Sequence, residues 1–142
     1  MSDRAKRLVE RFYAEVWNQA DEVAARTILS QNLRFRGSLD TEKQGADGFI
    51  DYLRAVHKAL ENYTCDILDL VATDGRATAL VKFTGRHVDE FFGAAATDKE
   101  ITWRGAAFFT MPDDQITEIF VLGDIDAIKR QLGAGTDSSF KA

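Results

Sequence analysis

Residues 63–88 read YTCDILDLVATDGRATALVKFTGRHV, two runs of alternating character joined at the pair Asp74-Gly75. In the second run Val81, Phe83 and His87 fall on one face and Lys82, Thr84 and Arg86 on the other, because side chains along a strand alternate. Asp-Gly between two such runs is a strong hairpin signal, since glycine supplies the positive φ that a tight turn needs. Residues 63–72 and 76–88 are therefore predicted to be antiparallel strands with one buried face. Two further strands are predicted at residues 100–111 and 115–123, separated by the turn sequence Met111-Pro112-Asp113-Asp114.

Upstream of the strands the period changes. Leu8, Val9, Phe12, Tyr13, Val16 and Trp17 recur every three or four residues, with Arg7, Glu10, Arg11 and Glu15 on the other side. That spacing predicts an amphipathic helix over residues 4–18. Asp21 can cap a shorter second helix carrying Val23, Ala24, Ile28 and Leu29, and Leu33-Arg34-Phe35-Arg36 alternates as a short strand before Gly37. Residues 38–45 read as a loop. Asp47 is a candidate cap for a third helix with Phe49, Ile50, Leu53, Val56 and Leu60 on its apolar side, ending near Asn62. After the strands, Asp124 can cap a last helix over residues 125–132 that Gly133 stops, and residues 135–142 read as a flexible tail. Helices first and strands afterwards give an α+β layout, with helices packed on one face of a sheet. The 142 residues, 45% of them hydrophobic, suit one domain spanning 1–142 with a continuous core.

Several function classes are disfavoured by composition. The net charge is −5 and the basic residues are scattered, so phosphate backbones are repelled on average and no nucleic-acid partner is expected. The chain has two histidines, His57 and His87, thirty residues apart with no Cys or His neighbour at ligand spacing, so no metal site is expected. Cys65 is the single cysteine and reads as a packed thiol. No stretch approaches the ~20 apolar residues that cross a bilayer, and the start of the chain lacks the apolar run of a secretory signal. A cytoplasmic protein without a membrane partner is the expectation.

A set of weak motifs in a particular order supplies a family resemblance. They are Tyr13-x-x-x-Trp17-Asn18, Gly45-x-x-Gly48-Phe49, Gly85-Arg86-His87, Phe92-Gly93, Thr97-Asp98 and Gln131-Leu132-Gly133. From Leu8 to Gly133 the chain resembles the SnoaL-like polyketide cyclases of the nuclear transport factor 2-like superfamily. The resemblance implies a conical α+β barrel, in which a curved antiparallel sheet wraps around the N-terminal helices and encloses a pocket. It also implies a homodimer and cofactor-free acid/base chemistry of the aldol cyclase or isomerase type. The same comparison withholds the chemistry. Counted back from Gln131, the cyclases' His-x-Asp pair falls on Ile119 and Val121, and their Gln-x-His pair on Gly105 and Ala107.

Trp103, Gly105, Ala107 and Phe109 share one face of a strand, so small residues between two aromatic ones could enlarge an apolar cavity. Together with Tyr13, Trp17, Phe35, Ile119 and Val121 they form the expected ligand-binding set for an apolar small molecule. The alternative is that side chains from the helices fill that space, and that Tyr13 and Trp17 are the core stripe of the first helix. Two residues are candidate acid/base groups. Asp124 stands where the last strand ends and either faces the pocket or caps the final helix, while His87 is either a pocket-rim imidazole or a hydrogen-bonded strand-end histidine. Three readings compete: a proton-transfer enzyme, a non-catalytic small-molecule binder, and an interaction module whose exposed sheet face makes a dimer.

Overall fold

The computed structural model describes residues 2–133 and Phe140. Helix α1, Ser2–Arg11, continues directly into a π-helical stretch, Phe12–Trp17, in which the Asn18 N–H donates to the Tyr13 carbonyl at 2.9 Å. The wider winding brings residues four and five apart onto one side, so Phe12, Tyr13, Val16 and Trp17 are all buried. The predicted helix over residues 4–18 is thus one helix wound in two ways.

Asp21 caps α2, Glu22–Ile28, its carboxylate accepting the Ala24 N–H at 3.0 Å. Leu29, expected on that helix, instead turns extended and begins β1, Leu29–Arg36, which is longer than the predicted strand. The predicted loop contains a short strand, β2, Glu42–Gln44. Helix α3, Gly45–Ala59, starts ahead of Asp47, which therefore does not cap it; the Asp47 carboxylate pairs with Arg26 of α2 at 2.6 Å. The helix ends early because Leu60 passes straight into β3, Leu60–Thr73. Strands β4, Arg76–His87, β5, Glu100–Thr110, and β6, Ile116–Gly123, follow close to their predicted places. Helix α4, Ile125–Leu132, is capped by Asp124 and stopped by Gly133 at φ +68°.

The strands form one curved, open sheet in the order β2-β1-β6-β5-β4-β3. Thr73 faces Arg76 across the Asp74-Gly75 turn, as expected, with Gly75 at φ +78°. The expectation of an antiparallel sheet holds for four pairings, but β1 runs parallel to β6, with Phe35 opposite Ile119. The inner face of the sheet packs on α1 and α3 around a single hydrophobic cluster. Of the predicted tail, Phe140 is buried, and residues 134–139 and 141–142 lie outside the described residues. Among the described residues no helix is long and apolar enough to cross a membrane.

Two side-chain amides fasten helices to exposed strand backbone. At the end of the first helix the Asn18 Nδ2 donates to the Cys65 carbonyl at 3.1 Å, and its Oδ1 accepts the Cys65 N–H at 2.7 Å. On α4, Gln131 does the same to Thr102, accepting its N–H at 2.9 Å and donating to its carbonyl at 2.7 Å. Cys65 lies on the edge strand β3, and Thr102 lies beyond the last β5–β6 pair, Gly105 with Gly123. Each amide thus stands where a neighbouring strand would have bonded.

Candidate functional site at the aromatic end of the sheet

Alternation along the strands puts every expected ligand-binding residue on the inside. Trp103, Gly105, Ala107 and Phe109 alternate with exposed or half-buried neighbours on β5, and Ile119 and Val121 do so on β6. Tyr13, Trp17 and Phe35 are also buried. On the sheet the set is joined by cross-strand pairs, Phe35 with Ile119, Ile119 with Phe109 and Val121 with Ala107. Tyr13 and Phe109 meet edge to face at 6.1 Å between ring centroids, at the end of the sheet where β5 finishes. Trp17 packs on Phe49 at 5.4 Å and Tyr52 at 5.9 Å, and Phe35 on the same two rings at 4.9 and 5.0 Å. Trp103 packs with Phe83, Tyr63 and Phe91 at 5.3, 6.1 and 6.3 Å, and Tyr63 also meets Trp17 at 5.3 Å.

Gly105 departs from its expected role as the floor of an open space. A Cβ there would sit 2.9 Å from Phe83 Cε2 and 3.1 Å from Val121 Cγ1, so these two side chains already occupy the room that the glycine leaves.

The two candidate acid/base groups part company. Asp124 takes the capping role: its carboxylate accepts the Ala127 N–H at 3.1 Å and is exposed to solvent. It borders shallow depressions on the outer face of the sheet, beside Arg104 and Leu122 on one side and Lys82 and Ala127 on the other. Of the two roles expected for it, the cap of the final helix is the one the structure holds.

His87, by contrast, is fully buried at the end of β4. Its Nδ1 receives the Thr97 backbone N–H at 3.2 Å and lies 2.9 Å from the Thr97 hydroxyl. That hydroxyl oxygen accepts the Lys99 N–H at 3.3 Å. Since Nδ1 accepts, the neutral ring carries its hydrogen on Nε2. The Nε2 atom is buried with no hydrogen-bond partner among the described residues. Phe91 stands beside the imidazole, with centroids 6.1 Å apart.

Around this end the polar groups are few. The Trp103 indole N–H donates to Ser38 Oγ at 3.3 Å. Burial raises the Tyr52 phenol well above its ordinary range, opposed by its hydrogen bonds to Leu39 backbone and the Ser38 side chain. The Tyr13 hydroxyl and Arg4 Nη1 are the other buried side-chain polar atoms with no partner among the described residues, and burial raises the Tyr13 pKa as well. Burial also raises Tyr63 and Cys65. Among the described residues no cluster of three His, Cys, Asp or Glu side chains could hold a metal ion.

Sequence reasoning missed Ser38, Tyr52, Phe91, Thr97's contact with His87, and Phe140. Phe91 and Phe92 carried a usable signal, two adjacent aromatic residues before a glycine in a stretch otherwise read as a connection.

His57, on α3, is structural. Its Nε2–H donates to the Trp17 carbonyl at 2.9 Å, and its ring stacks on that of Trp17 at 6.1 Å.

Solved structures share this arrangement. TsrD from Streptomyces laurentii is 23% identical, with a TM-score of 0.84 over 95% of this chain and 98% of that one. AclR from Streptomyces galilaeus is 19% identical, with a TM-score of 0.81 over 96% and 89%. IdmH from Streptomyces antibioticus is 18% identical, with a TM-score of 0.79 over 91% and 98%. Likenesses at these identities establish the fold. No curated protein matches the chain by sequence. The sequence pattern of the SnoaL-like polyketide cyclases matches residues 7–132, which is most of the chain. This protein, with its helix-filled curved sheet and its inward histidine, belongs to the SnoaL-like polyketide cyclase family.

Proposed function

We propose that the protein binds an uncharged, largely apolar small molecule between its helices and the inner face of the sheet, and that it acts as a binder rather than as an aldol cyclase. The observation that carries this reading is His87 Nε2, a buried N–H donor with no partner among the described residues, set among aromatic rings. A buried donor left unpaired is costly, and a ligand carbonyl or ether oxygen would satisfy it. The small side chains Ala77, Ala79 and Ala107 on the same inner face support an apolar occupant.

The chemistry available to this ring is donation. With Nδ1 held by Thr97, Nε2 can polarise a ligand oxygen but has no lone pair with which to take a proton. No carboxylate among the described residues is buried, so none of them stands in the interior as a base. Counted by the resemblance, Gly105, Ala107, Ile119 and Val121 fall at the positions where the cyclases carry their reacting groups, which supports a binding reading.

The test is Ala107→Phe, followed by titration with the neutral fluorescent probe N-phenyl-1-naphthylamine and by thermal melts. Loss of saturable binding with a preserved melt supports an interior site. Unchanged affinity with destabilisation of roughly 1–3 kcal/mol, the usual cost of overpacking, would overturn it.

A second reading concerns assembly and rests on the outer face. Leu80, Phe108, Phe120 and Leu122 are all substantially exposed, and cross-strand pairing places Leu80 by Ala106 and Leu122, and Phe108 by Phe120. We infer a homodimer joined through this face, since a self-complementary apolar patch is most simply buried against a second copy. Sedimentation should give twice the chain mass at micromolar concentration, and a monomer there would sink the inference.

A further inference from the structure

Two of the short motifs that carried the family resemblance, Gly85-Arg86-His87 and Thr97-Asp98, bond to each other. From the first, at the end of β4, the Arg86 guanidinium donates to the Asp98 carbonyl at 3.2 Å and the His87 N–H donates to the Lys99 carbonyl at 2.8 Å. From the second, the Asp98 N–H returns to the His87 carbonyl at 2.8 Å and the Thr97 N–H to His87 Nδ1 at 3.2 Å. The Thr97 hydroxyl completes the set, 2.9 Å from Nδ1 and with the Lys99 N–H on its oxygen at 3.3 Å. Residues 97–99 thus grip His87 by its N–H, its carbonyl and one ring nitrogen.

This grip decides where the imidazole keeps its hydrogen. A backbone N–H can only donate, and that of Thr97 cannot turn away, because Asp98 and Lys99 after it are both tied to His87. The Lys99 N–H occupies a lone pair of the hydroxyl, which leaves the hydroxyl hydrogen to face Nδ1. Two donors therefore converge on one lone pair, and a hydrogen on Nδ1 would oppose both. Turning the ring over would withdraw Nδ1 from the same two donors and is opposed for the same reason. The hydrogen stays on Nε2, in the interior, where no described residue accepts it.

We propose that Thr97 is the specificity-determining residue of the interior site: it holds the His87 hydrogen on Nε2, so that the site ranks neutral ligands by the lone pair they present. The inference rests on the interior-site reading above and adds the residue that sets what the site selects. Thr97 touches His87 rather than the ligand and is a positioning residue. A ketone oxygen offers a lone pair and no hydrogen, and is preferred. A hydroxyl accepts from Nε2–H only by turning its own hydrogen aside into apolar surroundings. A pyrrole-type N–H sets hydrogen against hydrogen and leaves two buried donors unpaired, the costliest case.

The experiment uses three flat tricyclic molecules of nearly one shape as competitors of N-phenyl-1-naphthylamine: fluorenone with a carbonyl, fluorene with a methylene and carbazole with an N–H. Wild type, Thr97→Val, Thr97→Ala and Thr97→Ser are titrated, each with a circular dichroism melt, and the His87 ring nitrogens are followed by NMR. Wild type should bind fluorenone roughly five- to tenfold more tightly than fluorene or carbazole, the size of one added hydrogen bond, with a pyridine-like Nδ1 and a pyrrole-like Nε2. Thr97→Val keeps the backbone N–H but loses the shorter contact to Nδ1, so the fluorenone advantage should fall to about threefold or less, and Thr97→Ser should recover it. Equal affinity for the three molecules in wild type, or a hydrogen found on Nδ1, would overturn the inference while leaving an interior site. An advantage unchanged in Thr97→Val, or all three molecules weakened alike, would make Thr97 a structural tie only and overturn it as well. Loss of a cooperative melt in both Thr97→Val and Thr97→Ala would make the hydroxyl a requirement of folding, which also overturns it. Absence of saturable dye binding in wild type would overturn the interior site and this inference together.

Discussion

Asn18 and Cys65 are joined by a two-point clamp, in which one side-chain amide takes both the N–H and the carbonyl of a single strand residue. It ties the end of the aromatic first helix to the free edge of β3, where the Cys65–Phe83 pair directs those backbone groups away from β4. Asn18→Ala should cost about 1–3 kcal/mol, because two backbone groups lose their partner at once. Urea denaturation measures it, and a change below about 0.5 kcal/mol would mean that water replaces the amide without loss.

Two glycines offer a graded test of close packing. A Cβ at Gly123 would run into the Ser38 backbone oxygen, whereas one at Gly105 would meet the ring edge of Phe83 at 2.9 Å. Backbone gives less readily than a side chain. Both Gly→Ala changes should destabilise, Gly105 by about 1–3 kcal/mol and Gly123 by more. Equal or reversed costs in chemical denaturation would contradict the packing described.

Stability should depend on pH through His57. Burial lowers its pKa from the ordinary 6.5, against the opposing pull of the Trp17 carbonyl. The unfolded chain then binds the proton more readily than the folded one, so this contribution is whole above pH 6.5 and is lost as pH falls from there through the folded pKa. Melting temperature should decline over that window in wild type and less in His57→Gln. Parallel curves for the two proteins would remove His57 as the cause.

Asp124 separates capping from chemistry. Asp124→Ala should cost about 0.5–2 kcal/mol, the usual value of a lost N-cap, and Asp124→Asn much less. Neither should alter binding of an interior probe, and a loss of binding by the asparagine variant with normal stability would return the residue to the site.

Cys65 should resist thiol reagents in the folded protein. Its side chain is buried, and burial raises its pKa, which leaves little thiolate. Labelling should become fast only in denaturant, and rapid labelling of the native protein would place the sulfur at the surface.

Much of the fold could be read from the chain because local chemistry and global structure agree. The Asp74-Gly75 turn, the Asp21 and Asp124 caps and the Gly133 stop are each set by neighbours in sequence, and the alternation of β5 is set by which face meets the helices. Failures came where distant residues decide. Leu29 looks helical by spacing and becomes strand because β6 pairs with it; Asp47 looks like a cap and is drawn instead to Arg26. At the site, the face of each residue was legible but the occupancy of space was not. Nothing local announces that Phe83 and Val121 fill the room beside Gly105, or that Phe140 returns to Tyr52. The motifs at Asn18 and Gln131, which carried the family resemblance, prove to be fasteners of helix to strand rather than bearers of chemistry.

The parallel seam between β1 and β6 sets an order of assembly. Arg34 and Glu118 form an ion pair across it from positions 84 residues apart, so β1 has no partner on that side until β6 has left the ribosome. Contacts that distant in sequence form late and slowly, because the loop between them must first be closed. During synthesis the hairpin of β3 and β4 can form from neighbours alone, whereas Phe35 and the aromatic side of the first helix, which Phe49 and Tyr52 of α3 cover in part, wait for Ile119 and Phe109 to complete their burial. The nascent chain is therefore exposed to sticking along part of its helical core until β6, the last of the described strands, closes over it.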